Sequence, residues 1–146
     1  MSRAPRAHRV RTAALATAIA FVLSVAPTAP LAQPSSGAPA MQSSVERGVT
    51  VKVTPKSADP ADRRWEFSVV LDTHSTDLSD DLTQSATLTT DDGRTLKPVS
   101  WTGAAPGGHH REGVLAFDVA APRPASIELR ITRAGEPAAR IFRWQL

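Results

Sequence analysis

The chain contains no cysteine. Disulfide staples and thiolate metal sites are excluded by that absence, as is a lipid-bearing cysteine to tether the chain. Catalytic signatures are missing too. There is no GxSxG nucleophile elbow, no glycine-rich phosphate loop and no HExxH helix. Basic residues do not cluster among aromatics, so nucleic acid is not an expected partner. No internal repeat occurs, and the only long uncharged apolar run, residues 12–26, falls short of the ~20 residues that span a bilayer. These gaps point to a protein that is not an enzyme.

What is present begins with an export pattern. Arg3, Arg6, Arg9 and Arg11 precede residues 12–26 without an intervening acid, and Pro27 and Pro30 then stop the apolar run. A basic segment followed by a short apolar one is the form of a secretory signal. Arg9 and Arg11 are not adjacent, so a twin-arginine signal is not indicated. We expect a signal over residues 1–32, with Ala38-Pro39-Ala40 as a later alternative for cleavage. A flexible lead-in rich in proline, alanine and serine would follow over 33–46, then one folded domain over 47–146. The expected location is periplasmic or secreted, with no stable membrane anchor after cleavage. Four of the 17 basic residues belong to the leader, so from Met41 onward 13 bases face 14 acids.

The remaining segment reads as strands. Val49, Val51 and Val53 alternate with polar residues until Pro55, and Trp65, Phe67, Val69 and Leu71 share one face of a second run. Further strands are expected in SATLTT, RTLKPVSW, REGVLAFDV, ASIELRIT and ARIFRWQL. Asp92-Gly93 suits a tight hairpin turn, and Pro98 suits an edge or a bulge. DLSDDLTQSA has room for one helical turn capped by Ser79. About seven strands with turns between them predict an all-β fold, a single immunoglobulin-like antiparallel β-sandwich. Its expected core includes Trp65, Phe67, Leu71, Phe117, Leu129, Phe142 and Trp144, with Trp101 at the rim.

One patch could carry chemistry. His74 follows the second strand, and His109 and His110 close the loop WTGAAPGGHH. If those loops share one end of the sandwich, His74, His109 and His110 with Asp72 or Asp81 would suit Cu²⁺ or Zn²⁺. Adjacent residues of a strand point to opposite faces, which opposes joint ligation by His109 and His110 unless Gly107 and Gly108 distort the loop. The structural alternative is that the histidines lock loops by bonding carbonyls, that the acids are solvated, and that Arg111 pairs with Asp or Glu. No other cofactor is expected, and the alternative partner to a metal ion is an unknown protein.

Two resemblances bear on this. DTHSTDLSDDL and PGGHHREGVL resemble motifs of small bacterial exported domains of unassigned function, over nearly the whole segment after the leader. GHHREGVLAFDV is similar to the GHxxxGxxxFxV stretch of periplasmic copper-resistance proteins, which have an immunoglobulin-like sandwich. That likeness implies a Cu(II)-ligand role for His109, although the family's acid two residues earlier is Gly107 here.

Overall fold

The computed structural model describes residues 39–57 and 62–146, with the side chain of Ser57 left aside. The chain divides into Met1–Pro34 and Ser35–Leu146, and everything below concerns the second unit. The expected signal at 1–32 lies outside the described residues, as does the lead-in up to residue 38.

Among the described residues nine strands and one helical turn follow in order: β1 Gln42–Glu46, β2 Val49–Ser57, β3 Arg64–Thr73, α1 Leu82–Ser85, β4 Ala86–Thr90, β5 Thr95–Leu96, β6 Ser100–Gly103, β7 His110–Asp118, β8 Ser126–Ile131 and β9 Arg140–Gln145. They form two antiparallel sheets, β1-β2-β3-β7-β6 and β5-β4-β8-β9. With β1 set aside, that order matches the ABED and CFG sheets of the immunoglobulin-like sandwich, β5 being an added edge strand beside C. The expected fold is present.

Alternation builds the core. In β3 the buried positions are Trp65, Phe67, Val69, Leu71 and Thr73, every second residue. All seven side chains expected inside are buried, none more than 5% exposed. Phe67 meets Phe117 edge-on at 5.7 Å between ring centres and Trp144 at the same separation. Such aromatic contacts add specific geometry to simple area burial. Trp101 lies half-buried at the rim, as expected.

Four details differ from the sequence reading. The segment Gln42–Glu46 is a paired strand and not part of a flexible lead-in. RTLKPVSW is two strands, because the chain leaves one sheet at Leu96 and joins the other at Ser100, with Pro98 between. That raises the count from seven to nine. Pro55 does not end β2, which runs to Ser57. Beyond Val53 no β1 residue flanks it, so a missing N–H there breaks no ladder on that side. The helical turn is capped by Asp81, whose carboxylate accepts from Thr83 N at 2.9 Å, and not by Ser79. The Asp92-Gly93 hairpin is as expected, with Gly93 at φ 86° and its N–H donating to Thr90 O at 2.9 Å.

Candidate functional site

Antiparallel pairing brings four connections to one end of the sandwich: the β1–β2 turn, the β3–β4 segment with α1, the β6–β7 loop and the β8–β9 loop. The register fixes this, since Glu46 pairs with Val49, Val49 with Thr73, Asp72 with His110, Gly103 with Gly113, and Ile131 with both Ala86 and Arg140. The expected meeting of the His74 and His109 loops at a common end therefore occurs.

Three buried arginines fasten these connections. Arg111, at the start of β7, is 1% exposed. It donates to the carbonyls of Leu78 at 3.0 Å and Asp80 at 2.7 Å, and its guanidinium lies 5.6 Å from the Trp101 ring centre. Arg111 thus pairs with main-chain carbonyls where a carboxylate was expected. Burial pulls its pKa down, opposed by the charges of Asp80 and Asp81, and a guanidinium remains charged under such perturbation. Arg133 donates to Asp80 Oδ2 at 2.8 Å and to Glu136 Oε1 at 3.3 Å.

Arg140 is the most fully engaged of the three. Nε and Nη2 both bond Glu136, the former at 2.9 Å to Oε2. Nη1 donates to Ser44 O at 3.1 Å and Val49 O at 2.8 Å, and Nη2 also to Glu46 O at 2.9 Å. A guanidinium has five N–H donors, and here each has an acceptor. The hydrogen bond from Arg140 is the main reason the Glu136 carboxyl sits below its ordinary pKa.

The loops are also joined directly. Leu78 N donates to Gly108 O at 3.0 Å, Gly107 N to Leu78 O at 2.9 Å, and Gly108 N to Asp77 Oδ1 at 2.7 Å. Both glycines have positive φ, 117° and 74°, a region closed to most side chains.

The sequence-predicted site residues are only partly assembled. His110 Nδ1 lies 2.5 Å from Asp72 Oδ1, and Lys52 Nζ is 3.9 Å from Asp72 Oδ2. Glu112 Oε2 is 3.9 Å from His110 Nε2, on the opposite ring nitrogen. Asp81 is exposed and caps α1, with its pKa lowered chiefly by the Thr83 hydroxyl and then by the Thr83 N–H. His74 and His109 are exposed, and neither side chain has a hydrogen bond or ion pair among the described residues. Among those residues no three His, Asp or Glu side chains are grouped so as to hold a metal ion. Loop-locking is the work of arginines, not of histidines.

The residues missed at the sequence level carried a readable signal. Arg111 is in phase with the inward-facing Leu115 and Phe117, Arg133 with Ile127, Leu129 and Ile131, and Arg140 with Phe142 and Trp144. A charged residue continuing the inward phase of a strand, at the same end in three strands, marks a polar seal over the core.

No protein-family profile, curated protein or solved structure matches the chain. Among the described residues no helix is long and apolar enough to cross a membrane.

Proposed function

We propose that this is an exported, non-enzymatic β-sandwich with a binding or accessory role, located in the periplasm or secreted, whose arginine-fastened loop end engages a protein partner. The observation that carries the reading is the fixing of four connections by Arg111, Arg133 and Arg140. Loops ordered before association do not incur that ordering cost on binding. By fold-level analogy, the β3–β4 and β8–β9 connections occupy the B–C and F–G places, which carry contacts in antibody variable domains. The polar side chains of His74, Ser75, Asp77 and His109 are exposed on that end. Basic residues followed by a short apolar run at the start of the chain support export.

A photo-crosslinking residue placed at position 74 or at Ile141 tests this in the organism that makes the protein. Ile141 is 40% exposed on a different surface. Position 74 should give a discrete protein adduct and position 141 should not. Labelling only from position 141 would overturn the assignment of the loop end.

A further inference from the structure

The edges of the two sheets are not protected alike. A sheet edge presents unpaired N–H and C=O groups that can template another strand, and charged side chains are the usual block. On one side of the sandwich, residues 40–46 form a clasp that joins the edge strands β1 and β9. Trp144 Nε1 donates to Ala40 O at 2.7 Å, and the Gln42 side chain accepts from Arg143 N at 3.1 Å and donates to Arg143 O. Arg140 holds Ser44 O and Glu46 O, while Glu46 and Arg143 add exposed charge to the two strands. On the other side, β5 is only two residues long. Beyond it Lys97 Nζ donates to Gln84 O at 2.8 Å and to Ala86 O at 3.4 Å, along the rim of β4. The edge strand β6 has no such cover. No charged residue occurs from Pro98 to Gly108, and Val99 beside the strand is 50% exposed.

The ladder shows which groups of β6 are open. Ala104 N donates to Glu112 O at 3.0 Å, which makes residues 104 and 112 a hydrogen-bonded pair. Alternation along the register then turns Thr102 toward Val114 and points the N–H and C=O of Trp101 and Gly103 away from β7. None of these four groups has a hydrogen-bond partner among the described residues. Val99 N donates to Ala116 O, the residue facing Ser100, so a bulge closes the usable edge on that side. We propose that β6 pairs antiparallel with β6 of a second copy of this chain, about a two-fold axis at Thr102. Trp101 and Gly103 of one copy then exchange hydrogen bonds with Gly103 and Trp101 of the other. Thr102 faces Thr102 as a non-hydrogen-bonded pair, and Thr–Thr is a favourable cross-strand combination. An uncharged strand meets itself without repulsion, and Gly103, with no side chain, lies opposite each Trp101. The paired segment is shorter than a standard interface, so the dimer is weak and depends on concentration. This goes beyond the loop-end reading. Antiparallel pairing points the two loop ends in opposite directions and leaves both free.

The test uses the full chain, whose lack of cysteine lets a single introduced thiol report contact. Thr102 and Ser43 are both exposed, so substitution at either keeps the fold, with thermal melting as the control. A non-hydrogen-bonded pair sets its Cα atoms about 4.5 Å apart, within disulfide reach. Thr102→Cys should therefore form a disulfide-linked dimer at least about tenfold faster than Ser43→Cys on the edge of β1. Sedimentation equilibrium of the unaltered chain over roughly 10 µM to 1 mM should show a mass rising toward twice the monomer and no further. Thr102→Lys and Thr102→Glu should each stay monomeric, and their equimolar mixture should pair again, since residue 102 opposes itself across the axis. A chain that is monomeric throughout, or equally fast crosslinking in Ser43→Cys, would overturn the inference. So would a dimer indifferent to Thr102→Lys, which would belong to another face.

Discussion

Replacing Arg140 by methionine probes the loop end most directly. The substitution removes a guanidinium that is 1% exposed and leaves the Glu136 carboxylate, 2% exposed in its side chain, with only the 3.3 Å contact from Arg133. It also strips the acceptors Ser44 O, Val49 O and Glu46 O of their donor. Breaking a buried pair by deleting one partner costs about 3–5 kcal/mol. For a domain of about a hundred residues that corresponds to a fall in Tm of roughly 12–25 °C. Urea denaturation read by tryptophan fluorescence measures it. The double variant Arg140→Met/Glu136→Met removes the stranded charge as well and should regain about 2 kcal/mol. The two effects should also differ in their pH dependence. Arg140 holds the folded-state pKa of Glu136 below its unfolded value, so this contribution is complete above about pH 5 and is lost as pH falls through the folded value. The gap between wild type and Arg140→Met should therefore shrink on acidification. A single variant costing under about 1 kcal/mol, or a double variant no better than the single, would refute the role given to this residue.

Two further outcomes follow from the geometry around Trp101 and His110. A Cβ at Gly113 would lie 2.6 Å from Trp101 Cζ2 and 2.7 Å from Thr102 O, so Gly113→Ala should cost about 1–3 kcal/mol and change Trp101 emission; an unshifted Tm and spectrum would contradict that packing. Because no three His, Asp or Glu side chains are grouped to hold an ion among the described residues, calorimetric titration with Zn²⁺ or Cu²⁺ should give no saturable one-to-one heat. A saturable heat abolished by His109→Ala would restore the metal reading.

Legibility in the sequence depended on where the binding partners of a segment lie. β3 could be read from its own residues, since Trp65, Phe67, Val69 and Leu71 alternate with polar neighbours and all face the core. β1 could not. Its sole apolar residue, Val45, is 68% exposed, and the strand is held by its ladder with β2 and by contacts to residues about a hundred positions away. Local periodicity contains no trace of such contacts. The loop end was half legible. Antiparallel order placed the His74 and His109 loops together, but among the described residues no three His, Asp or Glu side chains are grouped to hold an ion. Asp80 looked like a solvated turn acid, yet its side chain is 8% exposed and accepts from Arg133 and from Ala134 N at 2.9 Å. The pairing of an acid with an arginine 53 residues later follows the alignment of β4 beside β8 in one sheet, which no short window can show.

The clasp also fixes where the chain enters and leaves the domain. Ala40 rests against Trp144, and the last residue, Leu146, donates its N–H to Ala125 O at 2.9 Å just before β8. Both ends of the described chain thus meet β9 and β8 at the end remote from the fastened loops. Anything covalently joined at either end, whether a fused protein or an immobilising surface, would leave those loops pointing away from the attachment. Held by one pole, the domain would present the other.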